Sequence, residues 1–136
     1  MTGAPAAAEG AERILVHAPR GRDAEVVCRV LETRFGRPVV CATLDALVRE
    51  IEAGADSAFV TEETLSGPAL DLLGAWIDAQ PPWSDFPFIV LTARRAGQRP
   101  SDARVVLQRL GNVVLLERPL NAETLISAAQ SALRAR

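Results

Sequence analysis

Apolar and polar positions along this chain switch repeatedly between two periods. Arg13-Ile-Leu-Val-His17 is a short apolar run ended by Pro19 and Gly21, which predicts a buried strand followed by a loop. From Arg22 to Phe35, residues Val26, Val27, Val30, Leu31 and Phe35 recur at helical spacing, and Gly36 closes that helix. Pro38 to Ala42 (PVVCA) predicts a second strand. Thr43 is placed to cap a helix from Leu44 to Ala53, with Leu44, Leu47, Val48 and Ile51 on one face and Gly54 as its stop. Ser57 to Thr61 (SAFVT) is a third strand. Ser66 or Gly67 opens the next helix, which has Pro68 in its first turn, carries Leu70, Leu72, Leu73, Trp76 and Ile77, and ends before Pro81-Pro82. Phe86 to Thr92 is a fourth strand, and a polar loop from Ala93 to Arg99 follows. Ser101 caps a helix with Val105, Val106, Leu107 and Leu110, which Gly111 stops. Asn112 to Leu116 is the fifth strand. Asn121 caps a last helix with Glu123 in its first turn and Leu125, Ile126, Ala129 and Leu133 facing inward. Residues 1–11 have small side chains with nothing to pack, and read as a flexible leader to one domain over 12–136.

Strand and helix thus alternate five times. That order predicts an α/β fold with a parallel sheet between two helix layers. Strands that are apolar throughout fit a sheet buried on both faces. Right-handed crossovers leave few topologies. The expected architecture is a flavodoxin-like (βα)5 three-layer sandwich, its five-stranded parallel sheet ordered 2-1-3-4-5. Function in such a fold sits at the carboxyl ends of the strands. The positions to inspect are therefore His17 to Arg22, Thr61 to Ser66, Thr92 to Gly97 and Glu117 to Leu120.

Composition narrows the chemistry. The chain has 136 residues, 49% hydrophobic and 24% charged, with formal net charge −2. That length is one domain, able to bury a core without a disulfide or metal staple. The charge balance argues against nucleic acid as a partner. No apolar run approaches the roughly 20 residues of a membrane helix, and the first ten residues lack a secretory pattern, so no membrane role and a cytoplasmic location are expected. All 15 basic residues are arginine, and there is no tyrosine. The absence of lysine excludes Schiff-base catalysis and a phosphate-loop lysine. Cys28 and Cys41 have no CxxC spacing and read as reduced thiols. A single histidine, His17, leaves no ligand cluster for zinc, so neither metal nor cofactor is expected, and His17 itself reads as a packed structural residue.

The predicted strand ends are poor in catalytic groups: they lack GxGxxG, GxxxxGK[ST] and GxSxG patterns. Their layout nevertheless resembles the receiver domain of two-component response regulators over the span 12–135. The resemblance is carried by the RILV strand with its loop and helix, by Pro87-Phe-Ile-Val-Leu-Thr92-Ala93 at the fourth strand, and by Arg118-Pro119 where that family has Lys-Pro. The stretches PPWSDFPFIVLT and NVVLLERPL are similar to receiver-like domains at the N-terminus of bacterial sensor or hybrid histidine kinases. The helical pattern still running at Leu133-Arg-Ala-Arg136 suits a piece of such a longer protein.

Departures from the family pattern decide what the resemblance implies. The acidic pair that helps hold magnesium falls on Ala18 and Pro19, which offer no oxygen donors from their side chains. Ungapped counting puts the phosphoryl-accepting aspartate at Thr61, and Glu62, one step on, is the other candidate for that position. The pocket lysine falls on Arg118, and the aromatic switch position on Leu115. Thr92 and Pro119 keep the family's residue types. The implied reading is a pseudo-receiver: a regulatory module, not an enzyme, acting by contact with protein domains of a two-component system. Its helix from Ser101 to Leu110, fifth strand and last helix form the face where that family commonly dimerises. Glu62 and Glu63 opposite Arg118 form a candidate mimic of the phosphorylated state, against the plainer reading of a surface ion pair. The alternative function is a small anionic-ligand or nucleotide-binding domain, with Arg20, Arg22 and Arg94 as contacts on the same edge.

Overall fold

The computed structural model describes residues 13–19, 21–65, 68–79, 86–92, 110–117 and 120–135. Five strands form the sheet: β1 (Ile14–His17), β2 (Val39–Val40), β3 (Ser57–Thr61), β4 (Phe88–Thr92) and β5 (Val113–Glu117). Four helices are described: α1 (Asp23–Phe35), α2 (Leu44–Ala53), α3 (Pro68–Asp78) and α4 (Ala122–Ala135). A 3-10 turn over Glu62–Thr64 follows β3. All strand pairs are parallel, and the order across the sheet is β2-β1-β3-β4-β5. This is the flavodoxin-like arrangement that the alternation predicts. The predicted helix from Ser101 lies outside the described residues except for its end at Leu110, which is helical and buried. The stretch 1–11 also lies outside them.

The sheet divides the core into two layers because successive strand residues point to opposite faces. Leu15, Val60, Phe88 and Val90 pack with Leu47 and Ile51 of α2 and with Leu70 and Leu73 of α3. On the other face, Val16, Phe59, Ile89 and Leu91 meet Val27 and Leu31 of α1, and Leu125, Ala129 and Ala132 of α4. Ala128, Ala129 and Ala132 of α4 are buried in the same layer as Phe59. Trp76 meets Phe86 edge-on at 5.9 Å, and Phe86 meets Phe88 at 5.1 Å, which ties α3 to β4. Among the described residues, no helix is long and apolar enough to cross a membrane.

Local caps form as their residue types require. The Ala46 amide donates to Thr43 Oγ1 at 3.1 Å, and the Thr124 amide donates to Asn121 Oδ1 at 3.2 Å. Gly36, at φ 85°, lets the chain turn sharply out of α1.

Four expectations need correction. The fourth strand starts at Phe88, two residues after the expected Phe86. The second strand is two residues long, not five: Cys41 still donates its amide to Val16 O at 2.8 Å, but Ala42 already leads into the cap at Thr43. Val26 is 37% exposed and Leu72 is 42% exposed. Each sits one position off its helix's buried stripe, which runs through Val27 and Leu31 in α1 and through Leu70, Leu73 and Gly74 in α3.

Arg13 fastens the opposite, amino-terminal edge of the sheet. Its backbone amide donates to Asp56 Oδ2 at 2.7 Å, and Asp56 returns its own amide to the Arg13 carbonyl at 2.8 Å. Its guanidinium donates to the Glu50 carbonyl at 3.0 Å, to the Gly54 carbonyl and to the Glu50 carboxylate. One side chain therefore satisfies carbonyls at the carboxyl end of α2 while its backbone joins β1 to the start of β3.

Candidate functional site

The carboxyl ends of β1, β3, β4 and β5 bring His17, Ala18, Thr61, Thr92 and Glu117 to one edge of the sheet. His17 closes β1 and is 5% exposed. Its Nδ1 stands 2.8 Å from the Cys41 carbonyl oxygen, which only accepts, so Nδ1 carries the proton there. Together with the Cys41 amide bonded to Val16, this pins the exit of β2 onto β1. The ring is a structural clasp, as its sequence context predicts. Ala18 follows at 4% exposure, packed in the core layer beneath α1 and α4, while Pro19 is exposed.

β3 ends at Thr61 with extended backbone, φ −91° and ψ 145°, and Glu62 begins the 3-10 turn. Thr64 Oγ1 donates to the Thr61 carbonyl at 2.7 Å, and the Leu65 amide donates to Glu62 O at 2.9 Å. Leu65 is buried in the layer beneath α2 and α3 and anchors the turn. Thr61 is 1% exposed, and among the described residues its Oγ1 has no hydrogen-bond partner. Ser57 Oγ, at the start of the same strand and on the same face, is likewise buried without a partner among them. Thr61 stands level with Leu91, and Thr92 with Glu117, so the two threonine hydroxyls are one residue out of step across the sheet. Thr92 is 7% exposed, Glu62 is half-buried, and Glu63 is exposed.

A hard cation takes oxygen donors at short range. Ala18 and Pro19 supply none from their side chains, and Thr61 contributes a neutral, enclosed hydroxyl. These side chains do not fit a magnesium ion. Among the described residues, no cluster of three or more His, Cys, Asp or Glu side chains is placed to hold a metal.

Of the arginines predicted to line this edge, Arg22 is described. It precedes α1, is exposed, and donates to Glu25 Oε2 at 3.1 Å on its own helix. Arg20, Arg94 and Arg118 lie outside the described residues. Leu115, at the predicted switch position, is half-buried in β5. Both cysteines are free: Cys41 is buried and Cys28 half-buried. Burial is the main force that raises both thiol pKa values; Glu32 adds to it at Cys28 and Glu50 at Cys41, and Arg37 and Arg13 oppose it. Neither thiol is poised as a nucleophile at neutral pH.

Local sequence patterns miss the Arg13–Glu50–Asp56 clasp, because its partners are 37 and 43 residues from Arg13. Ser57, a polar residue in an apolar strand, is the visible signal for an orphan hydroxyl.

No family model matches this sequence, and no curated protein is similar to it. Solved structures are similar in fold. NtrX from Brucella abortus, in complex with ADP, superposes with a TM-score of 0.73 at 20% identity, over 92% of this chain and 26% of that one. The present chain thus spans about a quarter of the NtrX chain. A CheY-like response regulator receiver domain protein from Methanospirillum hungatei gives a TM-score of 0.73 at 16% identity, over 92% of this chain and 95% of that one. The chemotaxis response regulator CheY4 of Vibrio cholerae gives 0.68 at 18% identity, over 90% and 99%. Identity this low establishes a shared fold, and chemistry must be argued from the site itself.

Proposed function

We propose that this chain is a receiver-fold regulatory module of bacterial two-component signalling that works by protein–protein contact and does not accept a phosphoryl group. The observation that carries this reading is Thr61. At the end of β3, where a receiver presents its acceptor carboxylate, there is a hydroxyl that is 1% exposed. Aspartyl phosphorylation needs a carboxylate nucleophile, a cation and charge neutralisation in one place. Ala18 and Pro19 offer the cation no side-chain oxygen. The module works in the cytoplasm, as part of a larger histidine kinase or beside one, and its partners are protein domains of that system. In this reading the face that includes β5 and α4 is a candidate homodimer surface.

An NMR amide titration with magnesium and beryllofluoride, a mimic of a phosphorylated carboxylate, tests the proposal. The expected result is no saturable shift at Thr61 to Glu63 or at Thr92. Saturable shifts at those amides would overturn it and make Glu62 the acceptor. Among the described residues no specific observation favours the anion-binding alternative: Arg22 donates to Glu25, and Arg20 and Arg94 lie outside them.

A further inference from the structure

The outward face of α1 carries charges in a fixed order. Arg22, Glu25, Arg29 and Glu32 follow one another at spacings of three, four and three, which aligns them along one side of a helix. All four are exposed, and Val26 beside them is 37% exposed. A groove of about 400 Å³ runs alongside, between α1 and the edge strand β2, with Cys28, Arg37 and Val40 in its lining. Val40 is 57% exposed. Within the chain this row is only partly self-paired. Arg22 meets Glu25 at 3.1 Å, but among the described residues neither Arg29 nor Glu32 forms an ion pair, despite spacing that allows one.

Read from its amino end, the row runs plus, minus, plus, minus; read from its carboxyl end, it runs the reverse. Two such helices laid antiparallel about a twofold at the level of Val27 therefore match. Arg22 faces Glu32 of the second copy, and Glu25 faces Arg29 of the second copy. Every facing pair is of opposite sign. A parallel, in-register pair would set like against like at every step. We propose that α1 is a self-association surface, through which two copies of this chain form an isologous antiparallel dimer.

The contact is short, since 13 helical residues span about 20 Å, and it is largely charged. It is therefore a weak dimer that salt dissociates, because exposed charges are screened over about 8 Å at physiological ionic strength. Sedimentation equilibrium at low salt provides the test. The wild-type chain is expected to dimerise, with association falling about tenfold as salt rises from ~20 to ~300 mM. Glu25→Arg and Arg29→Glu each introduce like-charge contacts twice per dimer, and each should lower association by about tenfold or more. The double charge swap restores opposite signs at both contacts and should return association to within about threefold of wild type. Circular dichroism checks that each variant keeps its helices. A strictly monomeric chain at low salt overturns the proposal. So does a dimer indifferent to the single reversals, or a double swap no better than either single. Loss of the dimer in Ile126→Glu, at a half-buried position of α4, with no response to the α1 reversals, would place the interface on the other face and overturn it too.

Discussion

Replacing Thr61 by valine should make this protein more stable. The two side chains have nearly the same shape, and both suit a strand. They differ in one atom, Oγ1, which is buried and has no hydrogen-bond partner among the described residues. On folding, that hydroxyl gives up its bonds to water and gains none in return. An unmatched buried hydroxyl costs about 1–3 kcal/mol. Thr61→Val removes the cost and adds a methyl to a layer already lined by Phe59 and Leu91. The expected gain is about 1–2 kcal/mol, or a rise in Tm of about 3–7 °C for a chain of this length. Urea denaturation, with the slope held equal between variants, measures the gain directly. Thr61→Asp supplies the contrast. It buries a carboxylate among the same neighbours and should cost several kcal/mol at neutral pH, with the loss shrinking as the carboxyl is protonated in acid. A Thr61→Val variant destabilised by about 1 kcal/mol or more (well beyond the ~0.5 kcal/mol of a neutral change) would refute the reasoning. It would mean that the hydroxyl holds a bond that the fold needs.

Three further outcomes follow from the same structure. Arg13→Ala removes a guanidinium bonded to two carbonyls and to the Glu50 carboxylate. The half-exposed setting screens the charge, so the expected loss is about 1–2 kcal/mol by chemical denaturation, with Arg13→Lys recovering part of it. Phe59→Ala should cost about 3–5 kcal/mol by the same assay, since Phe59 is fully buried between the sheet and two helices. The cysteines add a dependence on alkaline pH. Their folded pKa values are raised above the ordinary 9.0 mainly by burial, so their contribution to stability is complete below that value and falls as pH rises through the folded values. Thermal melts from about pH 7 to about pH 11 should show that decline, and it should shrink in Cys41→Ala.

Much of this molecule is legible in the order of its residues. Thr43 and Asn121 announce their helices because a cap is satisfied within three residues. Five apolar runs separated by helical patterns leave little choice of sheet, because parallel strands require crossovers of one hand. The site is legible mainly as expected replacements: under the proposed function, Ala18, Pro19 and either Thr61 or Glu62 fall where a receiver carries carboxylates. The charge row on α1 is also open to reading in one dimension, since its spacing is a property of the helix alone.

Other features depend on tertiary contact. The faces of Val26 and Leu72 follow from where the neighbouring layer stops, and periodicity assigns a face only to within about one residue. Local pattern could not shorten β2 to Val39–Val40, because a strand ends where its partner's hydrogen bonds end. The Arg13 clasp joins residues tens of positions apart, brought within reach only by the assembled sheet. Whether Thr61 is an open hydroxyl or an enclosed one depends on what covers the end of β3. The order of the described elements and the chemical types at the sheet edge can be read from the residues, because they follow from interactions within one or two turns. Burial, pairing and enclosure emerge only from packing, because water is excluded by the whole packed chain and not by any one segment of it.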